Sequence, residues 1–246
     1  MHFGENSTRA VRHRDEDAKT RSSYYGSDQG ELGLAVVWRS LRVLQDCRDS
    51  TYAMCNTSHG ARMTRRVAYQ GEPGAYSDLA IRQHFGEDII GVPHRSFPDA
   101  LQAVVAGDCD LAMIPVENAI AGPVHVALEA MREAGDQLVH VDEHRLVIVL
   151  CVLGVPGAML ATVQRVRSHP VAHAQCRIFA ARHPWLTVEV HADTAGAARE
   201  VSECGDPTVA AIASELAAER YGLEILVRGV QDVPHNWTRF LVLARG

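Results

Sequence analysis

The chain has 246 residues, 47% of them hydrophobic and 22% charged, with a formal net charge of −6. Such a length buries a sizeable core in one or two soluble globular domains, and the acidic balance leaves no broad basic surface for a nucleic-acid backbone. Six cysteines lie far apart with no C-x-x-C pair, which speaks against a disulfide framework or a zinc ribbon and for small buried thiols in a reducing compartment. Lys19 is the only lysine, so Schiff-base chemistry, pyridoxal-phosphate attachment and a P-loop lysine are unavailable to everything downstream.

Residues 1–64 read differently from the rest. His13 to Arg21 is a run of mixed charge, Arg21 to Gly33 is polar, and only Leu32 to Leu44 is apolar enough for a helix. A largely disordered arm with one helix is expected. The apolar stretch Leu32–Val37 is soon broken by Arg39 and Arg42, too short for a signal-peptide core or a membrane span, so the cytoplasm is the expected compartment. Met63 stands directly before the first strong strand and is read as the natural start.

From Val67 onward short strand-like runs alternate with helix-like stretches that end in glycine, the signature of an α/β fold. Strands are expected at Val67–Tyr69, Ile89–Val92 and Leu111–Ile114, with helices at Ser77–Phe85 and Pro98–Ala106, closed by Gly86 and Gly107. A second block follows, with strands at Leu146–Leu153, Val163–Arg167, Leu186–Val190 and Val209–Ile212. Its helices are Pro170–Arg182, Ala195–Cys204 and Ser214–Tyr221. The final strand, Phe240–Leu243, returns to the first block. Residues 65–246 therefore form two lobes, the first about 65–143 plus 228–246 and the second about 144–227, with a ligand cleft between them.

Five segments carry candidate chemistry. Tyr69-Gln70-Gly71-Glu72-Pro73-Gly74-Ala75-Tyr76-Ser77 joins a strand to a helix, and its glycines let backbone N–H groups approach a carboxylate or phosphate; an ordinary tight turn is the alternative. Pro115-Val116-Glu117-Asn118-Ala119 puts Asn118 just past an apolar strand, as a neutral ligand donor or a plain cap. Ser168-His169-Pro170 opens a helix with Ser168 as candidate cap; His169, His173 and Cys176 share one face, but without a second cluster they do not read as a metal site. Thr194 starts an alanine-rich helix as a cap or an anion donor. Asn236-Trp237-Thr238-Arg239-Phe240 places a hydroxyl beside an arginine, suited to holding an anion and protonating its leaving group, though in isolation it is only a strand start. No G-x-S-x-G, G-x-G-x-x-G or H-E-x-x-H motif occurs, so local signals stop at a small-molecule-binding α/β protein.

Taken in order, these segments resemble the prephenate dehydratase family. The resemblance rests on Val67-Ala68-Tyr69-Gln70-Gly71 through Tyr76-Ser77, Pro115-Val116-Glu117-Asn118, Ser168-His169-Pro170 with Gln175-Cys176, Thr194-Ala195, Ala211-Ile212-Ala213-Ser214 and Asn236-x-Thr238-Arg239-Phe240. It implies a two-lobed, type II periplasmic-binding-protein-like fold and conversion of prephenate to phenylpyruvate without cofactor or metal. It further implies Thr238 as the catalytic residue, with Asn118, Ser168, Gln175, Thr194, Arg239, Gly74 and Ala75 at the substrate. The expected partners are that small molecule and further copies of the chain, as a dimer or tetramer, with neither nucleic acid nor membrane.

Two departures from the family stand out: Ala119 occupies a position where serine is usual, and the chain ends at Gly246, where relatives usually continue into a phenylalanine-sensing ACT domain. Feedback inhibition through a domain of its own is therefore not expected. Arogenate dehydratase is the rival on the aminated substrate. A prephenate decarboxylase would lack the threonine donor that Thr238 supplies, and a non-catalytic anion-binding protein is the alternative outside catalysis.

Overall fold

The structure is a computed structural model that describes residues 64–86 and 88–246. The expected arm, its helix and the start at Met63 lie outside the described residues. In chain order the elements are β1 (Arg65–Gln70), α1 (Tyr76–Phe85), β2 (Ile89–His94), α2 (Phe97–Ala106), β3 (Leu111–Asn118), β4 (Gly122–Pro123), α3 (His125–Ala134) and β5 (Leu138–Val147). There follow β6 (Cys151–Gly154), β7 (Arg165–Ser168), α4 (Pro170–Ala174), α5 (Arg177–Arg182), β8 (Thr187–Val190) and α6 (Thr194–Cys204). The chain closes with β9 (Val209–Ala213), α7 (Glu215–Tyr221), β10 (Glu224–Arg228) and β11 (Trp237–Arg245).

Two sheets result. The first runs β2-β1-β3-β11-β5, with β4 paired to β3; the second runs β10-β6-β9-β7-β8. Strands β1, β2 and β3 are parallel, and β11 inserts antiparallel between β3 and β5. In the second sheet β7 is parallel to β8 and β9, while β6 and β10 run antiparallel at one side. The last strand thus comes home to the first sheet after the second is built, giving the two-lobed, type II periplasmic-binding-protein-like architecture.

The elements follow from local chemistry. Central β9, Val-Ala-Ala-Ile-Ala, is buried throughout, as a strand covered on both faces must be. Ser96 caps α2 by accepting from Asp99 N, Pro98 sits in the first turn, and Gly107 ends the helix in the left-handed region at φ 85°. Apolar residues of both lobes, among them Val67, Met113, Leu146, Ile148, Val166, Phe179, Ile212 and Phe240, merge into one core.

Four features depart from the sequence reading. Edge strands β5 and β10 were not expected, and each has one neighbour, so its outer face is solvated and lacks a continuous apolar run. Helix α3 was not expected either; it buries only Ala127 and Ala130. The apolar run expected as one strand at Leu146–Leu153 is the end of β5, a crossover through residues 148–150, and β6. Burial of Ile148 and Leu150 in that crossover makes it look strand-like in sequence. The change of lobe expected at residue 144 accordingly falls inside β5, whose pairing with β11 runs through Val147, and β10 keeps the second sheet through Arg228.

The fourth departure is a break in the expected helix Pro170–Arg182. Helix α4 stops at Ala174, and α5 restarts because Asp232 accepts from Arg177 N at 3.1 Å and Ile178 N at 2.8 Å. A carboxylate from a distant segment supplies the cap, which no local pattern announces.

The two segments that connect the lobes bind each other. Ile148 N donates to Asn236 O at 2.9 Å, Val230 N to Leu150 O at 2.9 Å, and Leu150 N to the Gln231 side chain at 3.0 Å.

Candidate active site

Open α/β sheets place ligand groups at the carboxyl ends of their parallel strands. Here β1 ends at the Gly71–Ala75 turn, β3 at Asn118, β7 at Ser168 and β9 at Ala213, just before Ser214, while β11 begins beside the end of β3. Thr238 pairs with Asn118 in that register. Five sequence-predicted residues therefore stand at strand ends or helix starts, Gly74, Ala75, Asn118, Ser168 and Thr238, and of these Asn118 and Thr238 are in direct contact.

Asn118 is the centre of the polar arrangement. Its Oδ1 accepts from Ile120 N at 3.1 Å and Ala121 N at 2.9 Å, which turns its Nδ2 the other way. The two protons of that Nδ2 are shared among Thr238 Oγ1 at 3.0 Å, Asn236 Oδ1 at 2.9 Å and Trp237 O at 3.1 Å. Asn236 in turn donates from Nδ2 to Gln175 Oε1 at 3.0 Å. Thr238 and Gln175 are each 9% exposed and Asn236 is fully buried. Because an amide N–H can only donate, Thr238 Oγ1 accepts from Asn118, and its own proton is free to be given away. Sequence reasoning placed Asn236 in a motif without giving it a role.

Ser168 is not the cap of α4. It is the last residue of β7, wholly buried, and its hydroxyl donates to Ile212 O at 2.6 Å, tying β7 to β9. His169 takes the cap position, its Nδ1 accepting from Val171 N at 3.2 Å. Thr194 is not a cap either; Asp193 accepts from Gly196 N at 2.6 Å, and the Thr194 hydroxyl has no hydrogen-bond partner among the described residues.

Arg239 departs furthest from expectation. Neighbouring residues of a strand point to opposite faces, so Arg239 faces away from Thr238. There it contacts Glu117 Oε2 through Nε at 3.2 Å and Nη2 at 3.1 Å, with Glu143 3.7 Å from Nη1. Its charge is engaged before any substrate arrives.

Gly74 lies at φ 88° and carries a contact between lobes: its carbonyl accepts from Ser214 Oγ at 2.6 Å, and an added Cβ would lie 2.9 Å from Ala217 Cα. Beside it, Tyr221 Oη donates to Pro73 O at 2.6 Å and Arg220 Nη2 donates to Asp78 Oδ2 at 3.1 Å. Ala75 is the N-cap of α1 and no side chain caps that helix, so first-turn N–H groups remain for an anion.

The metal reading finds no support in the geometry. His173 Nε2 is 3.0 Å from Glu189 O, and His169 caps α4. Burial, helped by nearby Asp232, pushes the Cys176 thiol up to about 12, so it stays protonated at neutral pH. Among the described residues no group of three His, Cys, Asp or Glu side chains is placed to hold a metal ion. Cys109, Cys151 and Cys176 are buried free thiols and Cys204 is exposed. Among the described residues no helix is long and apolar enough to cross a membrane.

Ala119, at the position where serine is usual in the family, donates its backbone N–H to Trp237 O at 2.9 Å, so the turn is held there by the backbone.

The chain is 45% identical over 181 residues to a bifunctional N-acyl-homoserine lactone acylase/prephenate dehydratase of Komagataeibacter europaeus, covering 74% of this chain and 63% of that protein. It is 40% identical over 188 residues to arogenate dehydratase 1 of Petunia hybrida, covering 76% of this chain and 43% of that protein. The solved structure of a prephenate dehydratase from Arthrobacter aurescens in complex with L-Phe superposes with a TM-score of 0.68 at 31% identity, over 74% of this chain and 60% of that chain. The chain thus spans less than two thirds of the length of these relatives. The family model described as prephenate dehydratase matches residues 67–246, and with it the chain belongs to the prephenate dehydratase family.

Proposed function

We propose that the chain catalyses the decarboxylating dehydration of prephenate to phenylpyruvate, as a carbon–oxygen lyase that needs no cofactor, in phenylalanine biosynthesis. The bond from the ring to its carboxylate breaks and CO₂ leaves. The electron pair completes the aromatic ring as the ring C–O bond breaks, and the departing oxygen takes a proton to leave as water. Aromatisation supplies the driving force, so the protein has to position the substrate and provide that proton.

The observation that carries this reading is the direction of the Asn118–Thr238 hydrogen bond. By occupying a lone pair of Thr238 Oγ1, Asn118 leaves the hydroxyl a donor toward the leaving oxygen. Gln175 and the unpartnered hydroxyl of Thr194 offer further polar contacts. The carboxylates fall to the uncapped start of α1 at Ala75, where the helix dipole favours an anion; Arg239, paired with Glu117, is left out of that task. Ser168 serves from behind, fixing the end of β7. The free buried thiols fit work in the cytoplasm, and assembly as a dimer or tetramer completes the proposal, to be read by sedimentation.

Purified protein is expected to convert prephenate to phenylpyruvate, followed by ultraviolet absorbance. Parallel assay of arogenate decides the side-chain preference, which the Petunia relative's name makes necessary. Binding without turnover of either compound would leave an anion-binding protein and sink the dehydratase reading.

A further inference from the structure

We propose that Asn236 is a positioning residue that fixes the amide of Gln175 with its N–H side toward the cleft, under orders that originate in the backbone of the 119–122 turn. The inference deepens the dehydratase reading and rests on it only for its kinetic consequence.

Ile120 N–H and Ala121 N–H can only donate, and both meet Asn118 Oδ1. Asn118 must therefore present Nδ2 to Asn236, at 2.9 Å, and Asn236 must accept with Oδ1. That leaves Asn236 Nδ2 facing Gln175 at 3.0 Å, so Gln175 must accept with Oε1. Its Nε2, which has no hydrogen-bond partner among the described residues, is then the group it offers to a ligand. Reversing any one amide would set two donors or two acceptors against each other inside a buried site, where Asn236 is 0% exposed.

Among the described residues Gln175 has no side-chain hydrogen bond other than the one to Asn236. Its backbone is clamped at both ends, N–H to Ala172 O at 3.1 Å and C=O from Asp232 N at 2.7 Å, but those bonds are indifferent to a flip of the side-chain amide. The Asn236 carbonyl also takes Ile148 N–H from the crossover, so the residue that relays the amide direction sits in a segment connecting the lobes. Thr238 and Gln175 would then both present hydrogen-bond donors to the substrate, as a dianion with a departing oxygen requires.

The test is a double-mutant cycle with Asn236→Asp and Gln175→Ala. An ionised aspartate accepts from both neighbours, turning Gln175 so that Oε1 faces the substrate. Asn236→Asp is expected to lower kcat/KM about ten- to a hundredfold in the parent but by less than about threefold once Gln175 is alanine. Equal losses in both backgrounds, or no loss in the parent, would overturn the proposal.

A second measurement needs neither turnover nor the Asp variant: solvent exchange of the Asn236 side-chain amide protons by NMR. Slow exchange that becomes fast in Gln175→Ala supports the assignment, and fast exchange in the parent overturns it. A protein with protected Asn236 protons that turns over neither prephenate nor arogenate would refute the dehydratase reading while leaving the orientation of Gln175 standing.

Discussion

Thr238 and Arg239 are adjacent in β11, yet they belong to different chemistries. Thr238 turns inward to a network of neutral amides that ends on Gln175. Arg239 turns outward to Glu117 and Glu143, beside a face where the Arg145 guanidinium lies 4.2 Å from the centre of the Trp237 ring. The lesson is that the inner face uses uncharged groups whose hydrogen-bond direction is determined, whereas the outer face collects the charges. A buried arginine would pay heavily in desolvation, while an amide relay transmits polarity without net charge.

That contrast can be broken experimentally, beginning where the effect is largest. Thr238→Ala should cost about 10² to 10⁴ in kcat while the protein stays folded, because a positioned acid is lost and a small side chain replaces it; near-parental turnover would remove Thr238 from the mechanism. Asn118→Ala strips the Ile120 and Ala121 N–H groups of their acceptor and frees Thr238. It should lower kcat/KM about tenfold or more and lower stability by about 1–3 kcal/mol in denaturant titration.

Gly74→Ala probes the contact between lobes rather than the relay. With φ at 88° and the new methyl 2.9 Å from Ala217 Cα, about 1–3 kcal/mol of stability should be lost, since backbone strain and overpacking coincide. Asp232→Ala removes the distant cap of α5 and should cost about 1 kcal/mol, read as a lower thermal midpoint. Smallest of all, Arg239→Met should change kcat/KM by less than about threefold and stability by less than about 1 kcal/mol, as expected for a partly exposed ion pair. A large rise in KM for Arg239→Met would instead put that guanidinium at the substrate and erase the distinction between the two faces.

Much of this fold can be read from residue order. The buried run of β9, the Ser96-Phe97-Pro98 start of α2 and the glycine turn after β1 announce themselves through burial, capping and punctuation. The site was half legible: Thr238 and Asn118 stand in recognisable segments and meet in register. Even the separation of Arg239 from Thr238 is implicit in the sequence, since a strand has a period of two.

Other features had no local signal. β5 and β10 are edges whose solvated faces dilute the apolar pattern, and the α4–α5 break depends on Asp232, far along the chain from Arg177. Ser168 reads as a cap until β9 is beside it to accept its hydroxyl.

Residue order alone, then, points to an α/β protein in two blocks with Asn118 and Thr238 beside strand ends, because periodicity, capping and glycine placement act over a few residues; the donor role of Thr238 comes from the family resemblance. Which way each amide faces, and that Asn236 joins Asn118 to Gln175, emerges only when segments remote in sequence converge. Hydrogen-bond direction in a dry site is a property of all the partners together, and no single stretch of chain contains them.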